Sequence, residues 1–198
     1  MKKMNKKGFT LIELLAVIII LGVLLLIAVP SVSKYIQQSR MKTYKNNLSN
    51  FVSAVTNEVN AMDYDSKYTF NSTEILVVPF NVIELEKGNN EKSPFSYYDQ
   101  DYSFVLVTRK YNVTGEGDDA VYTPVGYNYY VQALDESGYG TKLVLVDNAN
   151  IEALDANADS LVKIVKKEGE EPTLTIPESV KTTSKLPSSV DTAVVLQK

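Results

Sequence analysis

From Phe9 to Val29 the chain runs for 21 residues with a single charge, Glu13. As a helix this run rises about 32 Å, the thickness of a bilayer's hydrocarbon core. It is apolar on every side, which excludes a surface helix with one wet face. The h-region of a secretory signal is shorter, about 7–15 residues, and ends at a small-residue cleavage site. Ala28-Val29-Pro30-Ser31 matches such a site poorly. Lys2, Lys3, Lys6 and Lys7 precede the run and favour holding that end at the cytoplasmic face. The physical reading is a single-pass span, with everything after Pro30 outside the cytoplasm.

Charge and composition narrow the function classes. The chain carries 20 basic and 24 acidic residues, net −4, with no cysteine and no histidine. Disulfides, thiol catalysis, the usual zinc sites and the commonest general base are therefore absent. Setting aside the four leading lysines leaves 16 basic against 24 acidic residues, or −8. An acidic exterior does not suit nucleic-acid binding. The sequence contains no Ser/His/Asp set, no phosphate-cradling glycine loop and no metal-ligand spacing. We expect neither an enzyme nor a cofactor.

Two features do not belong to a plain anchor. Glu13 lies near the start of the span, where an unpaired carboxylate is costly and calls for a cation at the same depth. Gly8-Phe9 places a small residue at the junction of basic leader and apolar run. The string Lys7-Gly8-Phe9-Thr10-Leu11-Ile12-Glu13-Leu14 resembles the processing motif of type IV prepilins and pseudopilins. The resemblance is strong from Lys6 to Pro30, looser over the following helix, and does not reach the C-terminal domain. It implies that a prepilin peptidase cuts between Gly8 and Phe9, and that Phe9 is then N-methylated. It also makes Glu13 the fifth residue of the mature chain, where the family carries its signature glutamate. The physics agrees with it. Cutting removes the lysines and creates an amine at Phe9 close in depth to Glu13, so an incoming subunit's amine has a partner on its neighbour.

Beyond Pro30 a helical stripe resumes at Val32, Ile36, Tyr44, Leu48, Phe51, Val52, Val55, Val59 and Met62, with a gap at Ser39-Arg40. A helix from about residue 10 to 62 would be about 80 Å long. Its first half needs lipid or other helices; its second half needs one apolar wall. Pro30 should kink the helix or open its ladder, and Gly22 adds a weak point upstream. The resemblance implies that the stretch between them, Gly22–Pro30, loosens on assembly.

After residue 63 the period changes to that of strands. Asp101–Thr108, Tyr127–Leu134 and Thr141–Val146 are predicted strands, with Asp135–Gly140 as a hairpin turn and Gly115–Asp119 as a loop. Ser72–Glu86 is predicted as a short helix or strand, Ser160–Lys167 as a possible extension of the sheet, and Glu168–Lys198 as extended strands or a loosely held tail. The expected class is α+β, a long N-terminal helix (transmembrane, then amphipathic) packed on a C-terminal antiparallel sheet, the pilin fold. The expected divisions are a leader at 1–8, an apolar transmembrane and assembly helix at 9–30, an amphipathic helix at 31–63, a globular head at 64–167 and an extended segment at 168–198.

Other candidates are weaker. Asp155, Asn157 and Asp159 open like an EF-hand loop, but Ser160 and Lys166 stand where Gly and Glu are needed. Leu186-Pro187-Ser188-Ser189 lacks the rest of a sortase signal. Asn71-Ser72-Thr73 and Asn112-Val113-Thr114 are formal glycosylation sequons. Tyr97, Tyr98, Tyr102, Tyr127, Tyr129 and Tyr130 mark either an adhesive surface or sheet packing.

The resemblance implies a type IV pilus subunit whose partners are other pilin copies, the prepilin peptidase, the pilus assembly machinery and, for the precursor, the membrane. Such filaments serve adhesion, twitching motility and secretion. The alternatives are a pseudopilin or minor pilin of a secretion or DNA-uptake apparatus, the one case in which nucleic acid is expected, and a membrane-tethered extracellular binding domain.

Overall fold

The computed structural model describes residues 8–64, 74–85, 88–146, 151, 154–155, 160–183 and 192–195. The chain divides into two compact units, Met1–Arg40 and Met41–Lys198. One helix, α1 (Leu11–Tyr64), supplies residues to both.

In the first unit the large apolar side chains of α1 from Leu11 to Ile36 are exposed. The helix contains a stretch long and apolar enough to cross a membrane, and none of that stretch is buried within the chain. Val32 and Ile36, expected to begin an inward-facing stripe, are exposed with the rest of this surface.

In the second unit the helical stripe is buried: Tyr44, Leu48, Phe51, Val52, Val55 and Val59. They pack on a sheet of β1 (Glu74–Pro79), β2 (Phe104–Thr114), β3 (Val121–Leu134), β4 (Tyr139–Leu145), β5 (Leu154–Asp155) and β8 (Thr192–Val195), in the order β5-β4-β3-β2-β1-β8. Its neighbours are antiparallel except β1 and β8, which run parallel. The expected α+β arrangement, helix on a largely antiparallel sheet, is the one the chain adopts.

Strand alternation explains why these segments are nearly all apolar. Leu76, Val78, Val105, Val107, Val131 and Ala133 belong to the same core as the helix stripe. The intervening residues Ile75, Val77, Phe104, Leu106 and Tyr130 form a second core on the other face. That face is covered by Val162, Ile164 and Val180. They come from the small antiparallel pair β6 (Lys163–Val165) and β7 (Thr173–Thr175), the residues beside it, and α2 (Glu178–Thr183). A sheet buried on both faces has no polar side to show in its strands. Gln132 fastens the second layer: its amide donates to the carbonyls of Tyr102 at 3.0 Å and Val162 at 2.7 Å, and accepts from the Val162 N–H at 2.9 Å. Ser160–Lys167 therefore forms part of a cover for the large sheet. Glu168–Lys198 contributes β7, α2 and the sixth strand β8.

Local chemistry sets the strand ends. Asp101 and Tyr102 are in a turn, so β2 begins at Phe104, later than expected. The Asp135 turn forms where expected. Its buried carboxylate accepts from the N–H groups of Ser137 at 2.9 Å and Tyr139 at 3.1 Å and from the Ser93 hydroxyl. Ser72–Glu86 yields the strand β1 followed by one 3-10 turn, Phe80–Val82.

Phe80 carries the junction of helix and sheet. Its ring stacks on Phe51 with centroids 3.8 Å apart, and Tyr98 meets both rings edge-on. Phe80→Ala is expected to destabilise the head by about 3–5 kcal/mol, read as a lowered urea midpoint at unchanged slope. Tyr98 gives the head an alkaline limit. Burial, with the nearby Asp135 charge adding to it, pushes its phenol up to about 12. The unfolded chain sheds this proton near 10 and the folded head holds it, so the head loses stability as pH rises from 10 to 12. Tyr98→Phe is expected to lessen that loss in urea titrations across the interval, the Tyr44 phenol, also pushed up by burial, accounting for the rest.

Candidate processing and assembly site

Gly8 and Phe9 precede the helix, exposed and outside any regular element. Helix α1 then starts with a capping box, Thr10-Leu11-Ile12-Glu13. The Thr10 carbonyl accepts the first helical bond from Leu14 N–H at 3.2 Å. The Thr10 hydroxyl accepts from Glu13 N–H at 3.3 Å. In return Glu13 Oε2 accepts from both the Thr10 N–H and the Thr10 hydroxyl, each at 2.8 Å. Donors that a helix start leaves orphaned are thereby paired, and the carboxylate sits at the positive end of the helix dipole.

This geometry bears on the expected site in one specific way. The Glu13 carboxylate is turned back to the N–H of Thr10, one residue from the Phe9 nitrogen. Thr10 and Glu13 thus form one cluster at the helix start, next to Phe9 in the chain. In the sequence Thr10 stands out only as part of the processing string, although Ser/Thr-x-x-Glu ahead of an apolar run is a recognisable helix-start signal. The leader lysines lie outside the described residues.

Gly22 and Pro30 are not brought to that cluster; they stand along the same helix. A Cβ at Gly22 would meet nothing within 4 Å, so no contact among the described residues requires glycine there. Helix α1 continues through Pro30 without interruption. Proline has no N–H, so the carbonyl of Leu26 loses its helical donor. Next to it, the Ser31 hydroxyl donates to the Ile27 carbonyl at 3.2 Å.

The weaker candidates fall as follows. Tyr98 and Tyr130 are core residues, Tyr102, Tyr127 and Tyr129 are half-buried, and Tyr97 is exposed. Asn112-Val113-Thr114 is an exposed part of β2. Asn157, Asp159, Asn71-Ser72-Thr73 and Leu186–Ser189 lie outside the described residues.

The prokaryotic N-terminal methylation motif matches residues 3–29. The chain is 45% identical over 64 residues to the ComG operon protein 3 homolog of Bacillus licheniformis, covering 32% of this chain and 64% of that protein. It is 51% identical over 39 residues to the competence protein ComGC of Bacillus subtilis, covering 20% of this chain and 40% of that one. The N-terminal segment is type IV pilin-like. The similarity spans less than two thirds of either relative and leaves most of this chain unmatched. No solved structure matches it.

The capping box makes a local prediction. Thr10→Val removes the hydroxyl that both accepts from Glu13 N–H and donates to its carboxylate. A side-chain cap is worth about 1 kcal/mol. In detergent micelles the amides of residues 10 and 13 are expected to exchange about fivefold faster, with the head unchanged, as measured by residue-resolved hydrogen exchange.

Proposed function

We propose that this chain is a structural subunit of a type IV pilus, made as a single-pass membrane precursor. It is cut between Gly8 and Phe9, N-methylated at Phe9 and polymerised through α1. The observation that carries this reading is the helix start. A methylation motif runs into an exposed apolar helix, and the one carboxylate of its apolar stretch already faces the backbone beside Phe9.

The steps follow from charge. Before cutting, the leader lysines favour keeping the segment at the cytoplasmic face. Cutting removes them and creates an ammonium at Phe9. That ammonium and a Glu13 carboxylate lie at the same depth, so the amine of one subunit neutralises Glu13 of another. A paired charge is tolerated among apolar helices where a lone one is not, and its geometry sets register. The exposed apolar surface of α1 then exchanges lipid for neighbouring helices. Lipid is as apolar as leucine, so packing and the ion pair have to favour that exchange. Gly22 and Pro30 act as loosened points that let the helix adapt.

A second reading has support of its own. Both named relatives carry a ComG or competence designation, which favours a pilin of a DNA-uptake apparatus. Processing and polymerisation are common to both readings. They part on readout: long fibres labelled by an antibody to the head indicate the pilus subunit, whereas loss of transformation with few fibres indicates the uptake apparatus.

Intact-mass and N-terminal analysis of the cell-associated protein tests the processing. The expected chain begins at Phe9 and carries one added methyl group. A chain still beginning at Met1 overturns the proposal. Glu13→Val is expected to be processed normally yet to yield no sheared filaments.

A further inference from the structure

The β2–β3 hairpin extends well beyond the sheet it belongs to. The pairs with β1 stop at Val107, and the pairs with β4 stop at Tyr130. Strands β2 and β3 continue to pair with each other out to Thr114 and Val121. Its outer end, residues 111–114 with 121–124, is therefore a two-stranded ribbon with no further strand on either edge among the described residues. A ribbon of that kind is marginal in water without a surface to pack on.

Its side chains are sorted by face. The register shifts between Lys110 and Tyr111; beyond it Tyr111 opposes Pro124, Asn112 opposes Thr123, Val113 opposes Tyr122 and Thr114 opposes Val121. Opposed residues share a face and successive residues alternate. Tyr111, Val113, Tyr122 and Pro124 thus form one apolar face, and the other carries Asn112, Thr114 and Thr123 beside Val121. The Tyr111 and Tyr122 rings meet edge-on with centroids 6.3 Å apart. Val113 is 50% exposed and Tyr122 63%, so among the described residues this apolar face has no cover.

The ribbon's edges and tip limit what covers it. Pro124 has no N–H to offer, and the shift at Lys110 breaks the ladder, so the edge resists strand addition. The tip is built to a fixed shape. Gly115 has φ +93°, and a Cβ there would sit 2.7 Å from the Asp119 carbonyl oxygen. Ala120 N–H closes the turn on the Gly117 carbonyl at 3.2 Å. Glu116 and Asp119 are exposed on this tip.

We propose that this ribbon is a contact arm that seats on α1 of a second copy of this chain. The inference rests on the polymeric reading above and names the contact it uses. Between Glu13 and Glu58, α1 carries Lys34, Arg40, Lys42 and Lys45 and no carboxylate. Lys34, Arg40 and Lys42 are exposed and Lys45 is half-exposed. In the same part of the helix Val32, Tyr35 and Ile36 are exposed. This segment thus offers cations and uncovered apolar side chains together. The arm offers carboxylates at its tip and uncovered apolar side chains on one face. The two surfaces match in both respects, and one chain contains both halves of a head-to-tail contact, the kind that propagates into a filament.

Because the chain has no cysteine, introduced thiols report only the intended contact. Full-length Glu116→Cys and Lys42→Cys chains, co-expressed and mildly oxidised, are expected to give a dimer at twice the subunit mass in sheared filaments. Lys142→Cys in place of Glu116→Cys is expected to give none. Tyr122→Ser, at an exposed position, is expected to lower filament yield about tenfold while leaving the urea midpoint of the head unchanged. The arm is overturned if filaments form and only monomer is recovered, if Glu116→Cys alone dimerises equally, or if Tyr122→Ser assembles normally. Absence of filaments from the unsubstituted chain, with Phe9 unprocessed, instead overturns the polymeric reading on which the arm depends.

Discussion

One carboxylate at the start of an uncovered apolar helix governs how this chain behaves. The large apolar side chains of α1 from Leu11 to Ile36 find no cover among the described residues, and lipid or other helices are the surfaces that suit them. Glu13 is the exception in that surface. In the structure it is not solitary, because the capping box gives it the Thr10 N–H and hydroxyl. A precursor helix therefore carries its charge without a cation. The same bonds hold the carboxylate beside the backbone of Phe9, where processing would deliver an amine. Capping and pairing are in this account two successive uses of one side chain.

The head answers a different constraint. Its sheet is buried on both faces, by α1 on one and by β6, β7 and α2 on the other. Gln132 ties the second cover to β3 with three hydrogen bonds, so each polar atom of that buried amide is spent on backbone. Rigidity at this site gives the outer β2–β3 ribbon a fixed base. A ribbon resting on a firm sheet, with a glycine-shaped tip, can present an apolar face to a neighbour at low entropic cost.

Much of this was legible in the residues. The switch from an all-round apolar run to a stripe at Tyr44, Leu48, Phe51 and Val55 separates the exposed and buried parts of α1. The strands at Phe104–Thr108 and Tyr127–Leu134 and the Asp135 turn follow from β-branched and aromatic runs and from one Asx side chain. What escaped has physical reasons. The outer ribbon was missed because Arg109, Lys110 and Asn112 break the apolar pattern, which continues as alternation on one face only. Strand β8 joins β1 from the far end of the chain, and the partners of Gln132 lie 30 residues away; no local period announces such contacts. The Thr10–Glu13 box was local and readable, but the same residues spell the processing motif, and the helix-start signal was hidden beneath it.

The central claim is an ion pair between chains. It can be measured directly in filaments assembled from equal parts of two preparations, one with 15N-labelled Phe9 amine and the other with 13C-labelled Glu13 carboxylate, by dipolar recoupling solid-state NMR. The account predicts a nitrogen–carboxylate separation within salt-bridge range, about 4 Å, seen only between chains of different label. Filaments that assemble fully and show no recoupling between the two labels would contradict it.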